Sequence, residues 1–408
     1  MTITSAITKS SVKDSICSPE NRKHLFPYSY AHSTIKGEIN YLRFPSLNLN
    51  KYQQQRCFSH TSTEPQFERP DHAVELFPQA AGLPWPTAVQ AAAQNKYWEI
   101  CINACKDILE LFSQDETTKG LVSAGKSLTE ITQKELARGF EHGFVAFAIF
   151  VYPFAEPRRA KPVADANAYV FILDEFWECN DPSLWHIVQE KFVSRMRPGF
   201  RPDKSSRTAV EARIDETIEQ CDEIDRESGT NSARDMINQL VYFYDKPAPP
   251  KEYSTVREYM DYRTRDVAVT LIIASARCSI VSSVDYHDPK FAPVIQLIAD
   301  QILLQNDIAS FEKEKRAFDT GKAHTFINCV HVVKTLMGVS YEDALELSLA
   351  AQLQTETKLD TEIDRLISED VLTAEEWRFV DGILYAMTGN AMGSVIISRY
   401  GGEKTRLS

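Results

Sequence analysis

The sequence predicts an all-α fold in which helices form a bundle large enough to surround a central cavity. Apolar residues recur at three- and four-residue spacing through residues 86–112, 129–154, 294–314 and 375–400, which places them on single helix faces. Proline-rich runs such as residues 247–250 separate these segments, as expected for joints between helices. The sequence shows no alternating strand series, no glycine-rich phosphate loop and no repeat of about 30 to 45 residues.

The chain divides into a polar leader and one long helical domain. Residues 1–70 are rich in Ser, Thr, Asn and Gln and lack a sustained helical stripe, so we expect them to be mostly disordered. The leader is also mildly basic, and both a mitochondrial presequence and a dispensable tail are compatible with it. Residues 75–402 form the predicted helical domain, which is long enough to bury a large core.

Charge and cysteine usage narrow the functional classes. A net charge of −12 argues against nucleic acid as a partner, because nucleic-acid binding needs a basic face. An anionic substrate would therefore need a local cluster of cations or bound metal ions. The eight cysteines are scattered without zinc-like spacing, which favours a reducing, cytoplasmic compartment. No apolar run approaches the roughly 20 residues of a membrane span, and the sequence leaves monomer and homodimer open.

Polar side chains interrupt the apolar helical pattern between residues 306 and 314. Asn306, Ser310 and Glu314 are spaced four residues apart, so each lies about 40° further around the helix and all three share one face. An amide oxygen, a hydroxyl and a carboxylate on successive turns form an oxygen set that suits Mg²⁺. A polar face toward solvent would give the same pattern, so the triad gains meaning only in combination with other motifs.

A second motif, the run from Phe171 to Asp181, ends an apolar helix with acidic residues. Asp174 and Glu178 lie one turn apart on the same predicted face, with Glu175 beside them. Carboxylates this close repel each other unless a cation lies between them. Phe171 precedes Asp174 by one turn, so we expect this face to carry an aromatic ring below the carboxylates.

Two further pairs add cationic groups. Arg263 and Asp266 lie on one predicted helix upstream of the triad, and Arg399 and Tyr400 end the last helix. Each arginine alone would usually be a surface residue. Together they supply planar cations that can bind phosphate oxygens through two parallel hydrogen bonds.

The order of these motifs resembles that of the class I terpene synthases, in particular the fungal and bacterial sesquiterpene cyclases. The aspartate-rich pattern D-(D/E)-x-x-(D/E) of that family is matched by DEFWE, residues 174–178, with Glu in two places. The resemblance covers about residues 75 to 402. The family pattern N-D-x-x-S-x-x-(K/R)-E is matched at every defined position, by Asn306, Asp307, Ser310, Lys313 and Glu314.

The resemblance implies the class I terpenoid synthase α-helical bundle, with a metal site at the mouth of a central apolar cavity. It implies three Mg²⁺ ions, two of them associated with Asp174 and Glu178. The third ion would be held by Asn306, Ser310 and Glu314.

The same resemblance implies a prenyl diphosphate as the substrate. Its diphosphate group would be contacted by Arg263, Lys313, Arg399 and Tyr400. Asp266 would occupy the position of the family's linker residue, three residues after the diphosphate-sensing arginine.

Aromatic residues are expected to line the cavity, because ring faces attract cations and such enzymes form carbocations. An aromatic stripe at helical spacing is equally typical of an ordinary core. The family often has an aromatic residue six positions before its terminal Arg-Tyr pair. That position is Gly393 here, and we expect the glycine to enlarge or reshape the cavity floor. The predicted lining residues are Phe147, Phe150, Tyr152, Tyr169 and Phe171.

The expected reaction is Mg²⁺-dependent ionisation of farnesyl diphosphate, followed by cyclisation to a sesquiterpene hydrocarbon or alcohol and release of diphosphate. The alternatives are a cyclase for geranyl or geranylgeranyl diphosphate, and a non-catalytic all-α protein that binds isoprenoids. A chain-elongating prenyltransferase fits less well, because its second aspartate-rich motif is replaced by the Asn/Ser/Glu helix. The motifs leave the product open, since the mode of cyclisation depends on cavity shape.

Overall fold

The computed structural model describes residues 8–34, 69–123, 126–139, 143–178, 182–323 and 325–408. The side chains of residues 178 and 182–184 lie outside that description. In the described part, helices dominate and the predicted all-α class is confirmed.

The helices of the first half of the chain are mostly short, and a π-helical turn, Gln189–Val193, precedes the last of them. In chain order these helices are α1 (Lys9–Ser15), α2 (Trp98–Gln114), α3 (Glu116–Gly120), α4 (Leu128–Arg138), α5 (Phe147–Val151), α6 (Pro157–Glu178), α7 (Pro182–Val188) and α8 (Ser194–Met196).

The second half supplies the longest helices. Short 3₁₀ turns lie at Pro19–His24, Phe144–Ala146, Pro289–Phe291 and Glu403–Thr405. The helices that follow α8 are α9 (Ala209–Ser228), α10 (Ser232–Tyr244), α11 (Val256–Asp266), α12 (Val269–Ser279), α13 (Ala292–Asp319), α14 (Cys329–Met337), α15 (Tyr341–Glu369), α16 (Ala374–Ile396) and α17 (Ser398–Gly401).

Two short antiparallel ladders accompany the helices. β1 (Ala73–Leu76) pairs with β2 (Ala92–Asn95), and Ala73 lies opposite Asn95. β3 (Val122–Ser123) pairs with β4 (Lys126–Ser127). Strands this short carry too few residues for an alternating pattern to stand out in the sequence.

Local sequence signals start several helices. Ser127 and Glu130 cap the first turn of α4 reciprocally, and Thr208 and Glu211 do the same for α9. Such capping boxes satisfy backbone N–H groups that have no partner inside the helix. Gly229 ends α9 in the left-handed conformation that a glycine adopts without steric cost.

α16 is the central helix of the bundle. Every residue from Phe379 to Ile396 is buried, and the helix packs against α5, α12 and α13. Two glycines allow the close approach of α5. A Cβ atom at Gly389 would lie 2.0 Å from the carbonyl oxygen of Phe150, and one at Gly393 would lie 2.9 Å from the ring of Phe147. A side chain at either position would therefore push α5 away.

The prediction of a mostly disordered leader is wrong for residues 8–34. Val12, Ile16, Phe26 and Tyr28 are buried in the main hydrophobic core. These residues are spaced irregularly, so they make no helical stripe, and they gain their burial from segments far away in the chain. Residues 1–7 and 35–68 of the predicted leader lie outside the described residues.

Residues 29–34, which we term the N-terminal strap, pair with the end of the chain. The N–H of Ala31 donates to the carbonyl of Thr405 at 2.9 Å, and the N–H of Leu407 donates to the carbonyl of Ser29 at 2.9 Å. Leu407 itself is buried. The folded unit thus extends beyond the predicted range of 75–402 at both ends.

Two features bear on the environment of the protein. No described helix is both long and apolar enough to cross a membrane. Among the described residues, Cys17, Cys101, Cys105, Cys221, Cys278 and Cys329 are buried free thiols.

Candidate active site

A deep cavity opens between α5, α6, α11, α12, α13, α16 and α17. It encloses a volume of about 120 Å³ and is open to solvent on one side. Its apolar part includes Phe147, Val151, Phe171, Phe243, Leu271 and Ile272. Its polar part includes Asp174, Glu175, Arg263, Asp266, Asn306, Lys313, Glu314, Arg399 and Tyr400.

α6 contributes both parts through its helical spacing. Asn167, Phe171 and Asp174 lie three or four residues apart, and all of them line the cavity. The ring of Phe171 stacks on Phe144 with centroids 4.8 Å apart and contacts the ring of Phe147 at 5.5 Å. α6 therefore presents an aromatic ring to the cavity and, one turn later, a carboxylate.

Asp174 is paired with a lysine that the motifs did not predict. The ammonium of Lys246 donates to Oδ1 of Asp174 at 3.0 Å and lies 2.9 Å from Oδ1 of Asp266. Lys246 follows α10 in the proline-rich joint, where no helical spacing relates it to the other motifs. The sequence carries no signal that singles this lysine out.

Glu175 is the second acidic residue of the aspartate-rich motif, and it contacts two cations. It forms an ion pair with Arg399, and its Oε1 lies 3.7 Å from the ammonium of Lys313. The C-terminal Arg-Tyr pair and the Asn/Ser/Glu helix thus both meet the aspartate-rich motif. Glu178, the predicted fifth position of that motif, lies outside the described side chains.

The two ends of the Asn306–Glu314 motif face the cavity. Asn306 and Glu314 line it, while the hydroxyl of Ser310 donates to the backbone carbonyl of Asn306 at 2.8 Å. Asp307 points to the other side of α13, where it is fully buried and accepts a hydrogen bond from the N–H of Cys329 at 2.8 Å.

Arg263 joins this helix to α11. Its guanidinium donates to Oδ1 of Asp307 at 3.0 Å, forms an ion pair with Asp266 and approaches Oδ1 of Asn306 at 3.5 Å. Burial raises the pKa of the Asp307 carboxyl to about 6, even though Arg263 opposes the shift. Burial acts in the same direction on Asp266, but Lys246 and Arg263 outweigh it and hold the pKa of Asp266 at about 2.

Asn328 forms a hydrogen bond with Glu314, and the motifs did not predict this contact. Its side-chain NH₂ donates to Oε2 of Glu314 at 2.9 Å and to the backbone carbonyl of Asp307 at 2.8 Å. Its side-chain oxygen accepts from the N–H of Val330 and so caps α14. The N-cap pattern is visible in the sequence, but the contact with Glu314 is not.

The backbone between α11 and α12 is unusual. Ala268, which lines the cavity two residues after Asp266, has a φ of +58°. The left-handed region is uncommon for a residue other than glycine, and such conformations cluster at functional sites. Alanine does not indicate a left-handed backbone, so the sequence did not predict this break between α11 and α12.

Three predicted lining residues lie outside the cavity, and these predictions need correction. The ring of Phe150 packs against Phe26 with centroids 5.9 Å apart, and the hydroxyl of Tyr169 lies 3.3 Å from the hydroxyl of Thr217. Gly393 faces the ring of Phe147, which occupies the space that a side chain there would need. Helical periodicity shows that a residue is buried, but it does not tell which neighbour buries it.

The other predicted aromatic residues lie at the site. Phe147, Tyr152 and Phe171 line the cavity, as do both members of the C-terminal Arg-Tyr pair. Tyr400 is almost fully buried, and burial raises the pKa of its hydroxyl.

The donor set suits a divalent cation that prefers oxygen. Asp174, Asn306 and Glu314 offer carboxylate and amide oxygens to one cavity, and these are ligands that Mg²⁺ accepts. Within the described ranges, no group of three or more His, Cys, Asp or Glu side chains is placed to hold a metal ion.

Comparison with known proteins gives consistent likenesses. A family model described as "Terpene synthase family 2, C-terminal metal binding" matches residues 165–350, which include both motifs. Terpene cyclase 6 of Gibberella fujikuroi is 26% identical over 333 residues, covering 81% of this chain and 86% of the relative. Aristolochene synthase of Aspergillus terreus is 24% identical over 264 residues, covering 63% of this chain and 80% of the relative.

The fold has solved counterparts. The crystal structure of an a-eudesmol synthase matches with a TM-score of 0.54 at 15% identity, covering 74% of this chain and 95% of that one. Motifs, helical fold and sequence relatives agree: this chain is similar in sequence to terpene synthases and has the α-helical fold of the class I enzymes.

Proposed function

We propose that the protein converts farnesyl diphosphate into a cyclic sesquiterpene in a Mg²⁺-dependent reaction that releases diphosphate. One observation carries this proposal: oxygen donors from α6 and α13 and cations from α11, α13 and α17 line the same cavity as a group of apolar and aromatic side chains. The donors can hold metal ions and the cations can bind phosphate oxygens, while the apolar part can hold a hydrocarbon chain.

The chemistry begins with departure of the diphosphate from the first carbon of the prenyl chain. Three Mg²⁺ ions, held by Asp174, Glu178, Asn306, Ser310 and Glu314, would supply Lewis-acid stabilisation of the leaving group. Arg263, Lys313 and Arg399 contribute positive charge to the same cavity, and Tyr400 contributes a hydroxyl donor. Preorganised groups of this kind stabilise the charge that develops on the departing oxygens.

The apolar part then has to guide an allylic carbocation. Phe147, Phe171 and Phe243 present aromatic surface to the cavity. Ring faces attract a cation without reacting as a base. Burial of these residues also keeps water away, so cyclisation competes successfully with capture by water.

The C15 substrate rests on the resemblance to sesquiterpene cyclases, and geranyl and geranylgeranyl diphosphate stay as alternatives. A non-catalytic isoprenoid-binding protein would not need both oxygen-rich motifs and the surrounding cations. The geometry therefore supports an enzyme over a binding protein.

The deciding experiment is incubation of the purified protein with farnesyl diphosphate, with and without Mg²⁺, followed by gas chromatography–mass spectrometry. We expect a cyclic C15 product that forms only with Mg²⁺. If only geranyl (C10) or geranylgeranyl (C20) diphosphate gave a product, that diphosphate would replace farnesyl diphosphate as the proposed substrate. A linear alcohol alone would indicate diphosphate hydrolysis, and no product from any of the three would favour the binding protein.

A further inference from the structure

Lys246 is a buried ammonium at the junction of two functional helices. Its side chain is 5% exposed. Its nitrogen lies 3.0 Å from Oδ1 of Asp174, 2.9 Å from Oδ1 of Asp266 and 3.5 Å from the backbone carbonyl of Asp266. An ammonium has three hydrogens, so these three acceptors account for its whole donor capacity.

This environment keeps the lysine charged in spite of its burial. Burial alone would lower the pKa of Lys246, but the two carboxylates outweigh it and raise the pKa above its ordinary value. The ring of Phe243, centred 4.3 Å from the nitrogen, adds a favourable cation–π contact. A buried cation held by two carboxylates is costly to lose, because its removal takes a cation from each of the two acids.

The contacts of Lys246 complete a row of alternating charges. The row runs from Asp174 on α6 through Lys246 to Asp266 on α11, and continues through Arg263 to Asp307 on α13. Each neighbouring pair has opposite charge and lies in direct contact. The row therefore links the helix of the aspartate-rich motif to the helix of the Asn306–Glu314 motif.

We propose that Lys246 is a positioning residue that couples the two metal-binding motifs, so that engagement of one motif favours engagement of the other. The inference rests on the function proposed above. A cation that binds Oδ1 of Asp174 competes with Lys246 for that oxygen, and the same ammonium also contacts Asp266. Asp266 in turn holds Arg263, so a change at either end alters the contacts at the other end.

A mutant cycle on ligand binding tests this coupling without reference to turnover. Inorganic diphosphate at saturating Mg²⁺ is titrated by calorimetry into the full chain, Asp174→Asn, Arg263→Lys and the double variant. If the two substitutions acted independently, their fold-changes in the dissociation constant would multiply. We expect the dissociation constant of the double variant to differ from that product by about 5- to 30-fold, as for residues in one ion-pair network.

The same cycle is then repeated in the Lys246→Met background, where we expect the coupling to fall to within about 2-fold. Lys290→Met is the matched control. Lys290 also bridges two carboxylates, Asp288 and Glu376, but it lies away from the cavity lining. Its removal should leave the coupling intact. If Lys246→Met does not fold, as judged by circular dichroism, Lys246→Gln takes its place because it keeps an amide donor.

The outcomes separate three cases. Coupling that is present in the full chain and lost with Lys246 supports the inference. Coupling that survives Lys246→Met, or that is absent from the full chain, overturns it and leaves Lys246 a structural cation. Failure of the full chain to bind diphosphate in the presence of Mg²⁺ overturns the proposed function itself.

Discussion

The side-chain amide of Asn328 donates a hydrogen bond of 2.9 Å to the carboxylate of Glu314. The same NH₂ group donates to the backbone carbonyl of Asp307 at 2.8 Å, and Asn328 is fully buried. Glu314 is thus held toward the cavity by a residue from the start of α14. Outer partners of this kind orient metal-binding side chains and often matter nearly as much as the ligands.

Replacement of Asn328 separates this role from helix capping. Asn328→Ser keeps an N-cap oxygen but loses the donor to Glu314, so the Mg²⁺ concentration needed for half-maximal turnover should rise by about 10- to 100-fold. Asn328→Ala loses the cap as well and should cost about 1 kcal/mol more in the free energy of unfolding. Turnover against Mg²⁺ and urea unfolding measure the two effects. An unchanged Mg²⁺ dependence in Asn328→Ser would contradict the assigned contact.

Loss of the cavity-facing oxygens of α13 should stop the reaction. Asn306→Ala and Glu314→Gln are each expected to reduce turnover at least about 100-fold, because Lewis-acid stabilisation supplies several kcal/mol. Circular dichroism should show the helical fold intact. Glu312→Gln is the matched control, since Glu312 lies on the same helix but is exposed. Near-normal turnover of either motif variant would remove that residue from the site.

A methyl group at position 393 should change the products. In Gly393→Ala the new Cβ would lie 2.9 Å from the ring of Phe147, so the ring must shift into the cavity that it lines. We expect an altered product mixture and a loss of about 1 to 3 kcal/mol in stability. Gly393→Trp should alter the mixture further.

Gly382→Ala is the control for this change. It adds the same methyl group to the same helix, but the nearest neighbour is Ile280 at 3.2 Å. Ile280 does not line the cavity. Gas chromatography–mass spectrometry compares the products of the two variants. Equal product profiles for wild type and Gly393→Ala would contradict the predicted contact between position 393 and the ring of Phe147.

Acid should weaken the N-terminal strap. Burial lowers the pKa of His32, which lies against the carbonyl of Ala309 and near Tyr400. Lys404 lowers that pKa further, while the Ala309 carbonyl and Glu312 oppose the shift. Since the imidazole binds a proton more readily in the unfolded chain, its contribution to stability is present above about pH 6.5 and is lost as the pH falls.

Urea unfolding at pH 7.5 and pH 5.5, about one pH unit on either side of the ordinary histidine pKa, checks this expectation. Wild type should lose more stability on acidification than His32→Gln, which cannot take up the proton. Equal losses in the two proteins would show that His32 does not titrate in this range.

The N-terminal segment should contribute to stability. Phe26 is buried between Trp98, Tyr28 and Phe150, so Phe26→Ala should lower the free energy of unfolding by about 3 kcal/mol. Phe77→Ala removes a ring that is 40% exposed and should cost much less. A negligible effect of Phe26→Ala would restore the idea of a dispensable leader.

Much of the site could be predicted because its key residues lie on regular helices. Four-residue spacing brings Asn306 and Glu314 to one face, and three-residue spacing does the same for Phe171 and Asp174. The order of the two motifs along the chain and the residue pattern within each motif resemble those of the family, so the resemblance could be seen in the sequence before any contact was known.

What the sequence by itself determined is therefore the helical class, the faces that carry oxygen donors and the cations at the helix ends. The tertiary structure alone decided which distant residues complete the site. Lys246 and Asn328 come from a loop and a helix start, and their meeting with Asp174 and Glu314 depends on how the helices pack. The same packing turned Phe150 away from the cavity. Local periodicity predicts that this side chain is buried, but only the packing of the whole core determines which residues it is buried against.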